Sequence, residues 1–276
     1  MANVNALVTV DWLAANIGRD DVKVLDATWC MSGEEPPLPG TFIPGAQVFD
    51  VDVVADLTSP LKHTLPMAST FEAAMSKMGI NNSDHVIIYD RHGFRAAPRT
   101  WWTFRMFGHV NTSILDGGLP AWMKAGRETS KEAATSKVQS DYKAKSAIAK
   151  VISHSGILAQ LKARPQIADA RSLGRFNGTE PEPRAGLRSG HIPGATSFPF
   201  GNIRDENANL KPLPELAELV GRTGLDLDKP IITTCGSGIT AAGLAFVFYL
   251  LGAKDVSVYD GSWTEWGASD APIEMS

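Results

Sequence analysis

The chain has 276 residues, of which 43% are hydrophobic and 20% charged, and this length and composition favour two globular domains over one. The net charge of −4, with no basic block interleaved with aromatic residues, argues against nucleic acid and anionic membranes as partners. The two cysteines, Cys30 and Cys235, are too few for a disulfide framework and form no metal-binding motif, which suits a reducing compartment.

The N-terminal segment does not predict a targeting peptide, and the apolar stretches do not predict a transmembrane helix. Residues 1–21 lack a basic segment followed by an apolar core. The longest apolar stretch, 241–251, is shorter than the roughly 20 residues that span a bilayer. We therefore expect a soluble, cytoplasmic protein.

Four segments of the sequence occur twice, in the same order. They are VLDAT (24–28) with IADAR (167–171), FIPGAQVFD (42–50) with HIPGATSFPF (191–200), HVIIYDRHGFRAA (85–97) with KPIITTCGSGITAA (229–242), and FGHVNTSILDGGLPAW (107–122) with LGAKDVSVYDGSWTEW (251–266). The offsets stay between 143 and 149 residues. Such agreement predicts a duplicated domain.

Within the second copy, predicted strands alternate with predicted helices. Helical spacing at 157–163 precedes a short apolar strand at 166–170, and residues 212–224 have the proline start and glycine end of a helix. The remaining elements are a β-branched strand at 230–235, a buried helix at 239–252 and a strand at 255–261. This order predicts an α/β fold in which each domain is a mostly parallel sheet with helices on both faces.

The two copies are separated by residues 124–150, which are rich in Lys, Ser, Ala and Thr and poor in aromatic residues, as linkers are. We expect a first domain at 1–125, a surface linker at 126–147 and a second domain at 148–276. In open α/β sheets, ligands usually bind at the carboxyl ends of the strands.

Cys235 stands at the end of a predicted strand, about four residues before a helix. Its neighbours Gly236, Ser237 and Gly238 are small, so backbone N–H groups and the helix N-terminus can face whatever the sulfur carries and favour a nucleophilic thiolate. The alternative is a structural cysteine on a turn that needs glycine. The matching position of the first copy is Asp90, which cannot do thiol chemistry, so we expect only the second domain to be catalytic.

Other cysteine chemistries fit this loop less well. A cysteine phosphatase needs an arginine six residues after the cysteine to clamp phosphate, and that position here is Ala241. A C-x-x-C redox pair is absent, because the third residue after Cys235 is Gly238. His191 is a candidate base for a protease dyad by sequence alone, but HIPGA is more typical of a structural turn. A single cysteine among backbone amides suits a sulfur carrier in the persulfide form.

The tandem pattern D-A-R, I-P-G-A, C-x-x-G-x-T-A and D-G-x followed by W resembles the two-domain rhodanese-like sulfurtransferases over essentially the full chain. An inactive first domain and an active cysteine in the second are that family's arrangement. The loop CGSGIT is similar to the 3-mercaptopyruvate branch, whereas thiosulfate-using members resemble one another in a basic loop of the C-R-K-G-x-T type. In this branch we expect the amides of 236–240, among them Gly236, Gly238, Ile239 and Thr240, to hold substrate and persulfide.

Two arginines match the substrate-binding arginines of that branch. They are Arg175 and Arg184, in GRFNGTEPEPRAG (174–186). An arginine fork can pair with a carboxylate and also reach the adjacent keto oxygen. The alternative is a surface ion pair with Glu180 or Glu182.

In the same branch, an aspartate and a histidine of the first domain approach the loop serine, as in a protease triad. The corresponding residues are Asp52 and His63, with Ser237 as the third member. Such a relay would deprotonate the substrate thiol or polarise Ser237. The alternative is that Asp52 and His63 only dock the domains, and Asp50 and Asp56 are rivals for the acid.

The resemblance implies an enzyme that moves the sulfur of 3-mercaptopyruvate through a persulfide on Cys235 to thioredoxin, a small thiol or cyanide, releasing pyruvate without a metal or organic cofactor. A thiosulfate:cyanide sulfurtransferase is the nearest alternative, and a catalytically idle scaffold that binds a partner protein is another. Cys30 matches the apolar Leu173 of the second copy, which favours simple packing over the alternative of a redox switch.

Overall fold

The computed structural model describes residues 6–275, and these form two similar domains. The first contains β1 (Leu7–Val8), α1 (Val10–Asn16), β2 (Val22–Asp26), β3 (Gln47–Val48), α2 (Ala68–Lys77), β4 (His85–Tyr89), α3 (Ala97–Met106), β5 (Thr112–Leu115) and α4 (Gly118–Lys124). The second contains β6 (Lys150–Ile152), α5 (His154–Gln160), β7 (Gln166–Asp169), α6 (Leu173–Asn177), β8 (Thr196–Ser197), α7 (Leu213–Thr223), β9 (Ile231–Thr234), α8 (Ile239–Leu250), β10 (Val256–Tyr259) and α9 (Ser262–Trp266).

The two domains repeat one another in sheet topology. Their strand orders are β1-β5-β4-β2-β3 and β6-β10-β9-β7-β8, and every neighbouring pair is parallel. Each strand therefore has the same neighbours as its counterpart, which confirms the predicted α/β fold with two parallel sheets. Within the described residues, α6 is the α-helix of the second domain that has no counterpart in the first.

Both faces of each sheet are covered, and β4 illustrates the reason. Val86 and Ile88 belong to one apolar cluster, and Ile87 and Tyr89 belong to another on the opposite face. Successive side chains of a strand point to opposite faces, so an uninterrupted apolar run demands a cover on each side. The helices provide this cover.

The two domains dock through α3 and α8. Trp101 on α3 packs edge-on against Phe246 on α8, with ring centroids 4.8 Å apart. Helix α8 is buried along almost its whole length because it is enclosed by its own sheet and by the first domain. This enclosure explains why its sequence is apolar all round rather than on one face.

The predicted linker lies along the first domain. Ser130 forms an antiparallel bridge with Phe42, and Tyr142 is buried, with its ring edge-on to Phe71 at 5.6 Å. Between residues 6 and 275, the helices are all too short or too polar to span a membrane. The part of the N-terminal prediction that concerns residues 1–5 lies outside the described residues.

Candidate active site

Cys235 lies between β9 and α8, at the carboxyl end of a strand. Its side chain is buried, and its Sγ accepts a hydrogen bond from the backbone N–H of Gly238 at 3.1 Å. Gly238 has a φ of +84°, and a Cβ there would stand 2.8 Å from the carbonyl oxygen of Asp260. Glycine is therefore required for the turn that aims this amide at the sulfur.

The matching loop of the first domain shows what such a turn can hold. The carboxylate of Asp90 accepts four backbone hydrogen bonds, from the N–H groups of His92 at 3.0 Å, Arg95 at 2.7 Å, Ala96 at 2.8 Å and Ala97 at 2.9 Å. Three of them converge on one oxygen, Oδ2. The turn is thus an anion cradle filled by the chain's own carboxylate.

The second domain repeats this cradle around a cysteine. An offset of 145 residues aligns Cys235 with Asp90 and aligns positions 237 and 240–242 with the four amide donors. The carboxylate oxygens of an aspartate are as many bonds from Cα as the terminal sulfur of a cysteine persulfide. The Oδ2 atom of Asp90 therefore marks where an anionic sulfur attached to Cys235 would meet the amides.

A segment after β10 braces the cysteine loop, and sequence reasoning missed it. The backbone N–H of Cys235 donates to Ser262 Oγ at 3.2 Å, and the Thr264 hydroxyl donates to the carbonyl of Gly236 at 2.6 Å. Ser262 has a φ of +49°, and its counterpart in the repeat is Gly118, with a φ of +55°. The signal available in the sequence was the alignment of Ser262 with a glycine, Gly118, because a position that is glycine in one copy can require a positive φ in both.

Arg175 and Arg184 extend over the cysteine loop. A Cβ at Gly236 would lie 3.1 Å from Nη2 of Arg175 and 3.7 Å from Nη1 of Arg184. Positive charge thus stands above a loop whose own side chains are neutral. A basic side chain at position 236 would have to displace these guanidinium groups.

The two arginines differ in how they are held. Arg175, on α6, donates through Nε and Nη2 to Glu182, at 3.2 and 2.6 Å, and Glu182 also accepts from Arg171 at 2.8 Å. The ion pair weighed for Arg175 is therefore real, and its partner is Glu182, whereas Glu180 accepts from the Ser172 hydroxyl. Arg184 has no acidic partner among residues 6–275. One fork is oriented by the protein and the other is free for a ligand.

His63 and Asp52 of the first domain form a pair. The imidazole Nδ1 lies against the Asp52 carboxylate, and Nε2 is buried without a hydrogen-bond partner in the described chain. Burial is the main influence on the pKa of His63 and lowers it, although the neighbouring carboxylate acts in the opposite direction. The neutral imidazole is thus the favoured form. The rivals for the acid, Asp50 and Asp56, instead accept backbone N–H bonds within their own turns.

Ser237 does not complete a triad in this structure. It is 7% exposed and, among the described residues, forms no hydrogen bond with His63 or Asp52. Gly238 is the N-cap of α8, and Ile239 begins that helix. The structure brings Asp52 and His63 into contact and leaves Ser237 as a neighbour of Cys235.

A cleft of about 590 Å³ lies between the two domains. Its walls are residues 29–32, Asp52, Lys62 and His63 from the first domain and residues 183–185 from the second. The cleft therefore connects the imidazole of His63 with the free arginine, Arg184.

Cys30 lies on the wall of this cleft, half-buried, with its Sγ 3.6 Å from Nε2 of His92. Simple packing therefore remains the prediction for Cys30, at a half-buried position on the cleft wall rather than in a core. The apolar identity of its counterpart does not indicate a core position, because Leu173 is itself 57% exposed. Burial raises the pKa of the Cys30 thiol, which keeps it in the less reactive protonated form.

Two residues weighed for other chemistries are structural. His191 stacks on Phe176 with centroids 3.8 Å apart, and its Nδ1 lies 2.9 Å from the carbonyl oxygen of Phe176. Ala241 is buried within α8. Residues 6–275 hold no cluster of three or more His, Cys, Asp or Glu side chains suited to a metal ion.

Comparison with known proteins shows that almost the full length of this chain is similar to known sulfurtransferases. The rhodanese-like domain family matches residues 9–125 and again 155–269. The chain is 41% identical to thiosulfate/3-mercaptopyruvate sulfurtransferase 1, mitochondrial, of Arabidopsis thaliana, over 97% of this chain and 78% of that relative. It is 40% identical to the 3-mercaptopyruvate sulfurtransferase of Escherichia coli K12, over 97% of each. The crystal structure of SseA from Escherichia coli, described as a 3-mercaptopyruvate sulfotransferase with the rhodanese fold, superposes with a TM-score of 0.84 and 36% identity, covering 94% of this chain and 99% of that one.

Proposed function

The chain belongs to the rhodanese-like family, and we propose that it is a sulfurtransferase that takes sulfur from 3-mercaptopyruvate onto Cys235 and passes it to a thiophilic acceptor. The observation that carries this proposal is the position of the Arg175 and Arg184 guanidinium groups over Gly236, beside Cys235. The charge that the loop's own side chains lack is supplied by the segment from α6 to residue 184.

The geometry favours a keto-carboxylate donor. Mercaptopyruvate carries one carboxylate next to a keto oxygen, and two planar guanidinium forks can grip both groups. Glu182 holds the Arg175 fork in place before the substrate arrives. Thiosulfate is the second candidate donor, but the basic loop side chain it would favour at position 236 would begin only 3.1 Å from Nη2 of Arg175, against a group of like charge.

Sulfur transfer then takes place in two steps. The Cys235 thiolate attacks the sulfur of mercaptopyruvate, a sulfur–sulfur bond forms and the carbon–sulfur bond breaks. The electron pair of the broken bond leaves on pyruvate as its enolate, which takes up a proton to give pyruvate. The persulfide left on Cys235 loses its outer sulfur to the acceptor, which restores the thiolate.

The amide cradle stabilises the charged intermediate. By analogy with the carboxylate of Asp90, the outer sulfur of the persulfide would accept N–H bonds from positions 237 and 240–242 and gain from the N-terminus of α8. These donors are fixed in advance, so little reorganisation is needed when the charge develops. We propose that Gly236, Gly238, Ile239 and Thr240 form the substrate-binding loop, as the sequence predicts.

We assign the proton transfers to the first domain. The neutral His63, oriented through Nδ1 by Asp52, has its Nε2 free to take the proton of the substrate thiol or to act through the Ser237 hydroxyl. In this scheme residues 1–125 form a non-catalytic rhodanese-like domain that lends one wall of the cleft. Residues 126–147 are the linker and 148–276 the catalytic domain.

The acceptor and the compartment complete the proposal. A sulfurtransferase needs a thiophilic acceptor, and thioredoxin, a small thiol and cyanide are the candidates for this chain. We propose the cytoplasm as its compartment, on the sequence argument alone, and one of the relatives named above is mitochondrial by name.

Turnover measured with mercaptopyruvate and with thiosulfate, under the same acceptor, tests the choice of donor. We expect a large preference in kcat/KM for mercaptopyruvate. A preference for thiosulfate would contradict the proposed donor and favour the alternative of a thiosulfate:cyanide sulfurtransferase. If neither donor adds a sulfur atom to the protein in intact-mass analysis, the idle scaffold is the correct alternative.

A further inference from the structure

A buried ion pair joins the two domains beside the active site. Arg99, on α3, is 2% exposed, and its Nη1 donates to Oδ1 of Asp260 at 2.5 Å. Asp260 directly follows β10 of the second domain. Burying two charges costs desolvation even when they are paired, so a pair at this position calls for a role beyond stability.

The ion pair fixes the peptide that carries His63. Nη2 of Arg99 donates to the backbone carbonyl of His63, and the backbone N–H of Leu65 donates to Oδ2 of Asp260 at 2.7 Å. His63 has a φ of +64°, an unfavourable conformation for a residue with a side chain. Such a conformation persists only when its surroundings hold it, and these two hydrogen bonds hold the chain on the C-terminal side of His63.

The same ion pair also touches the cysteine loop. A Cβ at Gly238 would lie 2.8 Å from the carbonyl oxygen of Asp260 and 3.0 Å from Nη1 of Arg99. Gly238 is the residue whose amide is bonded to the Cys235 sulfur. One ion pair therefore contacts both the loop that carries the sulfur and the peptide that carries the imidazole.

We propose that the Arg99–Asp260 pair is a positioning device for sulfur transfer, which sets the His63 imidazole relative to the Cys235 loop and makes turnover depend on domain docking. This inference rests on the proposed function. Arg99 uses two separate nitrogens of its planar guanidinium on two acceptors in different domains, whereas a lysine would have to serve both acceptors from a single nitrogen. Arg99 and Asp260 act through His63 and do not touch the substrate.

The first test is Arg99→Lys, assayed with mercaptopyruvate. Misplacing a catalytic group slows the chemistry while leaving the binding of the donor carboxylate to Arg175 and Arg184 intact. We expect kcat to fall about tenfold or more and KM to change by less than about threefold. A kcat for Arg99→Lys equal to that of the wild type would overturn the proposal.

A double-mutant cycle with His63→Ala separates positioning from general structural damage. If Arg99 acts through His63, Arg99→Lys lowers kcat about tenfold in the wild-type background and less than about twofold in the His63→Ala background. The same fold loss in both backgrounds would mean that Arg99 serves only structure. An unchanged kcat in His63→Ala alone would also overturn the proposal, because there would be no imidazole to position.

The chain offers a matched control on the same helix. Arg105, also on α3, reaches across to the second domain and stacks on Tyr249 at 4.6 Å, away from His63. Arg105→Lys weakens docking on that side, and we expect it to leave kcat within about twofold of wild type. If it lowers kcat as much as Arg99→Lys does, loosened docking rather than positioning explains the loss.

Asp260→Asn is the second variant, for use if Arg99→Lys does not fold. It keeps the shape of the side chain but removes the charge that pairs with Arg99, and the same kcat loss and coupling to His63→Ala are expected. Intact-mass analysis of wild type with mercaptopyruvate separates the two claims. Absence of the added sulfur contradicts the proposed function, whereas its presence with no coupling contradicts only the positioning role.

Discussion

Removing the side chain of Arg184 tests the proposed donor with little disturbance to the rest of the site. Arg184 has no acidic partner among residues 6–275, so Arg184→Ala leaves no carboxylate unpaired. The same change at Arg175 would also leave the buried carboxylate of Glu182 with Arg171 as its remaining arginine partner. Arg184 is therefore the cleaner of the two positions.

The expected effect follows from the bond that the guanidinium makes with a carboxylate. A hydrogen bond to a charged group contributes about 1.5–3 kcal/mol, which corresponds to roughly a 10- to 150-fold change in affinity. Arg184 is partly open to solvent, which favours the lower half of this range. KM for mercaptopyruvate should rise by about tenfold to fiftyfold, while kcat changes little because the carboxylate is bound equally in the ground and transition states.

Steady-state kinetics with inhibition by pyruvate provide the assay. Pyruvate carries the same keto-carboxylate, so its inhibition constant should rise by the same factor as KM. Arg184→Lys should recover part of the loss, since it restores charge but not the fork. Arg222→Ala, on the exposed face of α7, is the matched control and should change neither constant.

Two results would refute this reasoning. A KM within about twofold of wild type would mean that Arg184 does not hold the donor carboxylate. A rise in KM without a parallel rise in the pyruvate inhibition constant would mean that Arg184 acts on something other than the keto-carboxylate.

Three further predictions concern stability. Gly238→Ala should lower the free energy of unfolding, measured in urea, by about 1–3 kcal/mol, because the φ of Gly238 is +84° and the added Cβ meets Asp260. Gly221→Ala, a helical position with open space around it, is the control and should raise the free energy of unfolding by about 0.5–1 kcal/mol. An unchanged free energy of unfolding in Gly238→Ala would contradict the requirement for glycine. Asp90→Ala should cost about 3 kcal/mol or more, because four N–H groups, two of them buried and two half-buried, lose their acceptor, and a loss below about 1 kcal/mol would contradict the cradle. Burial keeps the pKa of His63 and His109 below the ordinary value of about 6.5, so the unfolded chain binds more protons as the pH falls through that value. The melting temperature should therefore be steady above about pH 7 and fall toward pH 5, and a rise in that range would contradict the assigned directions.

The repeat was the most informative feature of the sequence. It predicted a mostly parallel sheet in each of two similar domains, and it predicted that Cys235 and Asp90 occupy matching positions. The offset also grows from 143 to 149 residues between the first and second repeated segments, and α6, which carries Arg175, forms in that interval. An insertion in one copy was thus a visible signal for a helix that, among the described residues, only the second domain has.

Contacts between distant segments could not be predicted. Arg99 and Asp260 are far apart in the sequence and lie in different domains, and no sequence motif indicates that they form a pair. The sharing of Glu182 between Arg171 and Arg175 depends on how a loop folds back, which composition does not encode. The apolar counterpart of Cys30, Leu173, suggested packing, yet Cys30 lies on the wall of a cleft to which residues 183–185 of the second domain also contribute.

The central claim is that Cys235 carries the transferred sulfur, and intact-mass analysis after incubation with mercaptopyruvate tests it most directly. The account predicts that the wild-type chain gains the mass of one sulfur atom, that peptide mapping locates it on Cys235, and that an added thiol acceptor removes it. Cys235→Ser should gain nothing, whereas Cys30→Ser should gain as much as wild type. Sulfur found on Cys30, or a wild-type chain that gains none, would contradict the account.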